Sequence, residues 1–257
     1  MVSRISSRFS PVLRRVLMLL LALATMGLPV YARSAVPPQP EPAAASSAQE
    51  LTVDQILAKH YEAIGGDHHQ SVQTMKITGR SIVMGMEAPY TRFTKRPNKT
   101  LLRIYVQDMT GIQAFDGETA WGYMPFMGQV EPAVMPPAQT RGILESAEFD
   151  GPLVHADKKG HTVELLGIKP VDGRDAYRLQ VTMKTGGVQT HYVDTETFYV
   201  TRVESAMGDA VFFDYRLVDG HPVAQVIEMM GEMGEQIIYI DEVEFNVQIA
   251  DSAFSMR

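Results

Sequence analysis

From Leu51 onward the apolar positions keep two different rhythms. In "LTVDQILAKHYEAIGG" they recur at helical spacing, so Val53, Ile56, Leu57, His60, Tyr61 and Ile64 share one face. Thr52 stands at the N-cap with Gln55 three residues on, which predicts a capping box. Leu51 before the cap and Ile56 at the fourth helical position form a hydrophobic staple. Gly65 and Gly66 then stop the helix. After them the period becomes two. "TMKITGRSIVM", "YTRFTKR", "TLLRIYVQ", "GIQAF" and "TAWGYM" read as strands, the last two joined by an Asp116-Gly117 turn. "PPAQTRGILESAEF" interrupts them as a helix opening on proline, with Ile143, Leu144 and Ala147 facing inward.

Strands resume with "HTVELLGIKPV" and run to "EQIIYIDEVEFNV". Tyr177, Leu179, Val181 and Met183 alternate with Arg178, Gln180, Thr182 and Lys184, giving one buried and one wet face. Tight turns such as "VDGRD", "KTGG" and "VDGHP" separate the later strands. The sum is about 12 short strands and two helices, an antiparallel meander. A sheet that long has to curl, because long open twisted sheets are rare. The expected fold is mainly β (α+β): a strongly curved antiparallel sheet with helices in its concavity.

The N-terminus sets the compartment. Arg4, Arg8, Arg14 and Arg15 precede the apolar run "VLMLLLALATMGLPV", which is followed by "VYA". That order is a secretory signal peptide over residues 1–32, cleaved after Ala32 and delivering the chain to the periplasm. The run is shorter than the roughly 20 residues a membrane span needs. Residues 33–50, "RSAVPPQPEPAAASSAQE", have almost no bulky apolar side chain and read as a disordered linker. Residues 51–257 remain, enough for one domain with its own core.

Charge and composition then exclude several functions. The first 32 residues hold four Arg and no acid, so their removal leaves 19 basic and 30 acidic residues, net −11. That balance argues against nucleic acid as a partner. The absence of Cys excludes disulfides, thiolate catalysis and Cys-ligated metals. His60, His68, His69, His155, His161, His191 and His221 form no HExxH or other metal spacing, and GxSxG, P-loop and GxGxxG motifs are missing. His68-His69 read as a solvated loop and His191 as part of a wet strand face. Neither a catalytic residue, a metal site nor a cofactor is expected, and the chain reads as a non-enzyme and a monomer.

Several phrases, in order, resemble the LolA/LolB-like proteins, including the group called outer-membrane lipoprotein-sorting proteins. They are "LTVDQILAKHYEAIGG", "GMEAPYTRFTKRPNK", "GIQAFDGETAWGYMPFMG", "HYVDTETFYVTRVE", "FFDYRLVDGHPVAQVIE" and "VEFNVQIADSAFSM". They span nearly all of residues 51–257 and fit the broad branch of the family better than its lipoprotein carriers. The resemblance implies an incomplete barrel, a half-barrel of about eleven strands with helices over its mouth and an apolar cavity for acyl chains. It also implies lipid or lipoprotein acyl chains as partners, together with inner- or outer-membrane transport components. In the family's carriers an arginine helps hold the lid shut; Arg80, Arg92, Arg96 and Arg103 lie on the early strands here, and the sequence singles out none.

Two functional classes follow. The first is a carrier or binder of an amphiphile. Its candidate wall comprises Met84, Met86, Phe93, Leu102, Ile104 and Trp121, followed by Met124, Met127, Phe213 and Met229. Methionine suits such a wall because it is unbranched and adaptable. The second is a Cu(I) binder, since thioethers suit Cu(I) and "EMMGEMGEQ" clusters Met229, Met230 and Met233. On a strand, however, Met229 and Met230 point to opposite faces. A lipid-sensing or protein-binding module on the same fold is a third reading.

Overall fold

The computed structural model describes residues 51–83, 85–231 and 234–256. The signal peptide and linker expected at residues 1–32 and 33–50 lie outside these residues, as do Met84 and Met233. Four helices are described: α1 (Val53–Ala63), α2 (Gly66–Ser71), α3 (Pro137–Ser146) and α4 (Ala156–Lys159). The first half of the sheet is β1 (Thr74–Val83), β2 (Met86–Lys95), β3 (Lys99–Val106), β4 (Met109–Phe115), β5 (Ala120–Tyr123) and β6 (Ala133–Val134). The second half is β7 (Thr162–Val171), β8 (Arg174–Thr182), β9 (Val188–Asp194), β10 (Val200–Ser205), β11 (Gly208–Val218), β12 (His221–Gly231) and β13 (Gly234–Phe245).

All pairs are antiparallel, in the order β6-β5-β4-β3-β2-β1-β13-β12-β11-β10-β9-β8-β7. The chain is thus two meanders stitched together where its first strand meets its last. The count of thirteen exceeds the expected eleven or twelve. The two-residue β6 is too short to carry a period of its own.

The α1 helix starts as its sequence dictates. The Gln55 amide N–H donates to Thr52 Oγ1 at 3.3 Å, and the Thr52 N–H donates to Gln55 Oε1 at 2.9 Å. "GDHHQS" is not a solvated loop but the short helix α2, entered through Gly65 at φ 111°. The Asp116-Gly117 turn is wider than two residues. Asp116 Oδ1 accepts from the amides of Glu118 and Thr119, and β5 begins only at Ala120.

Curvature follows from two packing contacts. Ala147, just after α3, packs on Phe115 of β4 and Ala120 of β5. Leu153 packs on Leu179 and Val181 of β8. Strands β4 and β8 are nine pairings apart, about 43 Å along the sheet. The six residues from Ala147 to Leu153 reach at most about 21 Å. A flat sheet cannot satisfy both contacts, so the sheet curls into an open half-barrel and the 137–155 segment straps its inner face.

That face carries most of the core. Ile56 of α1 is fully buried against Tyr177, Leu179, Val181 and Val193. Outside the sheet, the segment after β13 folds back so that Phe254 is fully buried with Leu101, Ala114 and Trp121. There Trp121 Nε1–H donates to the Phe254 carbonyl at 2.7 Å. Strand register divides the two sides: Ile77 lies opposite Arg92 and Arg92 opposite Leu102, whereas Phe93 lies opposite Leu101 and Ala114 opposite Trp121.

Candidate functional site

A cavity of about 360 Å³ lies between the inner face and the elements that strap it. Its floor is apolar: Met75 and Ile77 from β1, Val203 from β10, Phe212 from β11, Ile227 from β12, and Ile240 and Phe245 from β13. Its roof is His60 from α1 and Ile64 at its C-cap, His69 from α2, and residues 149–153 of the strap. Strict alternation would send Phe212 and Tyr215 to opposite faces. Asp214 adopts φ 51°, and both side chains line the cavity, with Phe213 and Asp214 exposed.

Charge adds to the apolar packing of Ile56, Ala147 and Leu153 in holding the roof. Arg96 donates through Nη1 and Nη2 to the two carboxylate oxygens of Asp150 at 2.5 and 2.6 Å. Its Nε donates to the Val72 carbonyl at 2.6 Å, its Nη2 also to the His69 carbonyl at 3.1 Å, and its Cζ stands 4.3 Å from the Phe149 ring centre. His69 Nε2 lies 3.0 Å from Asp150 Oδ1. Burial by itself would raise the Asp150 pKa, but the hydrogen bonds from His69 and Arg96, with their charge, outweigh it and hold the carboxyl well below the usual range.

Two further acids tie the strap to the far flank. Glu148 Oε1 lies 2.8 Å from His161 Nε2, and Glu145 Oε2 accepts from Gln189 Nε2 at 3.0 Å. On the near flank, Arg92 Nη2 donates to the carbonyl of Ser146 at the end of α3, at 2.6 Å. Burial lowers the Arg92 pKa, yet guanidinium remains charged at neutral pH.

Imidazoles form the polar edge of the cavity. His60 Nδ1 donates to the Phe198 carbonyl at 2.8 Å and fixes α1 to the turn before β10. Burial lowers the His60 pKa. His221 stacks on His68, with ring centres 4.6 Å apart. His191 is only 4 % exposed, and burial, with the neighbouring His60, depresses its pKa to about 3. The expectation of a wet face for His191 is therefore corrected: strand β9 is buried from His191 to Asp194, because α1 and the strap cover one side and cross-strand neighbours fill the other.

The candidate wall residues read from the sequence lie elsewhere. Leu102 and Ile104 are on the inner face, opposite Arg92 and Tyr90 respectively, beyond the cavity. Met86 pairs with Val83 at the sheet rim and Met229 with Ala210, both exposed. Met124 and Phe126 cover Gly111, where a Cβ would approach the Met124 sulfur to 2.7 Å, and Met127 is exposed. Phe93 and Trp121 belong to the outer cluster around Phe254, and Phe213 points away from the cavity that Phe212 lines. Met84 is outside the described residues.

None of the described candidates lines this cavity. The residues that do were legible as apolar strand positions but not as a set, since pairing β1 with β13 is what assembles them. Met229 and Met230 have different cross-strand partners, Ala210 and Asp209, on opposite faces of β12. Among the described residues no group of three His, Cys, Asp or Glu is placed to hold a metal ion. A wider depression of about 640 Å³ outside the sheet, between Gln73, Lys95 and residues 246–250, is open and partly polar.

No protein-family model matches the chain, and no curated protein matches its sequence. Solved structures do match in three dimensions. A LolA superfamily protein from Nitrosomonas europaea superposes with a TM-score of 0.57 at 17 % identity, over 80 % of this chain and 98 % of the other. A domain named for outer membrane lipoprotein sorting, from Vibrio parahaemolyticus, gives 0.58 at 13 % identity, over 79 % and 97 %. A DUF1329 family protein from Desulfovibrio piger gives 0.56 at 14 % identity, over 79 % and 97 %.

Proposed function

We propose, from a fold that this chain shares with LolA superfamily proteins, that it is a periplasmic, non-enzymatic carrier holding one acyl chain of a lipid or lipoprotein in the inner-face cavity. The observation that carries this reading is an apolar cavity of about 360 Å³ beneath a roof to which the Arg96–Asp150 pair adds a charged pin. At about 30 Å³ for a water-sized group, such a volume takes about a dozen methylenes. At about 0.8 kcal/mol each, their transfer from water contributes about 10 kcal/mol before ordering costs. Export by the N-terminal signal would place the protein where such cargo needs shielding from water.

In this reading Arg92 and Arg96 latch the strap. Arg92 meets the end of α3 and Arg96 the segment over the cavity, whereas Arg80 pairs with Asp241 and Arg103 lies over Phe93 on the outer side. Loss of these polar bonds opens the roof without dismantling the sheet beneath it.

The test is binding of a fluorescent fatty-acid analogue, with native mass spectrometry of protein purified from periplasm. Wild type should bind the analogue and carry a lipid-sized adduct. Ala224→Phe, which projects a ring from the cavity wall, should weaken uptake at least about tenfold while the overpacking cost stays within about 3 kcal/mol. Neither adduct nor uptake in folded wild type would end the carrier reading.

A further inference from the structure

The carrier reading leaves buried imidazole nitrogens of the cavity wall unused, the Nδ1 atoms of His69, His191 and His221. His191 is on the cavity wall and 4 % exposed, and its Nδ1 has no hydrogen-bond partner. The ring's protonation pattern is set by its neighbours. Gln189 Nε2 donates to the Glu145 carboxylate at 3.0 Å, so the Gln189 amide is oriented with Oε1 as its remaining acceptor. That Oε1 lies 3.0 Å from His191 Nε2. An amide oxygen only accepts, so Nε2 carries the proton and Nδ1 is left as a bare lone pair.

A buried acceptor without a donor destabilises the empty site and favours any ligand that supplies one. The burial that depresses the His191 pKa keeps the ring neutral and its lone pair available. Of the other polar groups of the wall, the Nδ1 atoms of His69 and His221 also lack a partner, and the His191→Phe variant separates their contribution from that of His191; three others are committed. His60 Nδ1 is committed to Phe198, the Tyr215 hydroxyl donates to the Val200 carbonyl at 2.6 Å, and the Asp150 carboxylate is occupied by Arg96 and His69. The described lining contains no Lys or Arg, so nothing there neutralises a phosphate or sulfate head.

Resting on the carrier reading, we infer that His191 selects a single-chain amphiphile whose head is a small hydrogen-bond donor, a hydroxyl or an un-ionised carboxyl, seated against Nδ1. Glu145 and Gln189 are positioning residues: they fix which nitrogen of the imidazole is bare. Because Glu145 belongs to the strap, closing the roof and setting the head-group preference are coupled through one chain of hydrogen bonds.

The experiment is competition against a bound fluorescent acyl probe with two matched pairs: 1-dodecanol against its methyl ether, and dodecanoic acid against its methyl ester. One neutral hydrogen bond corresponds to about a tenfold preference, so at least one donor head should compete about tenfold better than its capped partner. The alcohol and acid arms identify which source of the donor serves. His191→Phe, which keeps a ring but removes the acceptor, should abolish the preference and leave the ether and ester affinities in place. Gln189→Leu, which frees the ring to swap its proton, should shrink the preference and checks the mechanism should the ring variant misfold. Equal competition within both pairs on wild type overturns the head-group assignment while leaving the carrier reading intact. A preference that persists unchanged in His191→Phe overturns it as well. If no probe binds at all, the carrier reading falls and takes this inference with it.

Discussion

Removing the Asp150 carboxylate should strip the roof of its charged anchor. In Asp150→Ala, Arg96 keeps its bonds to the carbonyls of Val72 and His69 but loses its counter-ion, in a place where its own side chain is only 16 % exposed. Breaking a buried ion pair by deleting one partner costs about 3–5 kcal/mol. The two surviving acceptors place this case near about 3 kcal/mol. For a domain near 200 residues that is a fall in Tm of about 6–12 °C. Urea unfolding followed through Trp121, the only tryptophan, measures it directly. The paired replacement Arg96→Met with Asp150→Leu should recover most of the loss, because neither charge is then stranded. Linkage gives an independent check. A carboxyl whose folded pKa is depressed contributes its full stabilisation above the unfolded value of about 3.9 and loses it as pH falls through the folded value. Asp150→Asn should therefore flatten the acid limb of stability below about pH 4. A loss under about 1 kcal/mol in Asp150→Ala, or a double variant no better than the single, refutes the claim that this pair pins the roof.

Two further outcomes follow from other contacts. Phe254→Ala should cost about 3–5 kcal/mol and shift Trp121 emission to the red, since Phe254 is fully buried and its carbonyl receives the indole N–H; an unchanged spectrum would mean the C-terminal segment does not seal this cluster in solution. Arg92→Leu should change stability by no more than about 1.5 kcal/mol, because one hydrogen bond to Ser146 is lost. It should nevertheless accelerate release of a bound fluorescent acyl probe in stopped-flow displacement, and an unaltered release rate argues against a latch.

The sequence made the elements legible and their assembly much less so. The capping box of α1, the inward set Ile143, Leu144 and Ala147, and the strand alternation around Tyr177 and Leu179 are local patterns, and each reappears in the fold. The cavity is not local. Met75 and Ile77 meet Ile240 and Phe245 only because β1 pairs with β13, some 170 residues away in the chain. Alternation also fails where the backbone kinks. Positive φ at Asp214 brings Phe212 and Tyr215 to one side, and a regular strand through "FFDYRLV" would not. Phe93 and Trp121 illustrate a different limit, because both faces of the sheet bury apolar groups and periodicity does not say which burial is core and which is cavity. Arg96 and Asp150 were invisible as a pair, being 54 positions apart on segments with no regular spacing between them.

The seam between β1 and β13 also governs how the chain comes to be folded. The strand that opens the sheet pairs with β2 at once but finds its second partner only after the last strand has arrived. Until then both halves expose raw hydrogen-bonding edges at the seam, and long-range closure of this kind is slow. Under the export proposed above, that delay keeps the polypeptide pliable until its far end is through the secretion pore. The same arrangement makes premature chain termination costly: a product lacking β13 would leave one edge each of β1 and β12 open, two sticky margins where the intact protein has a continuous sheet.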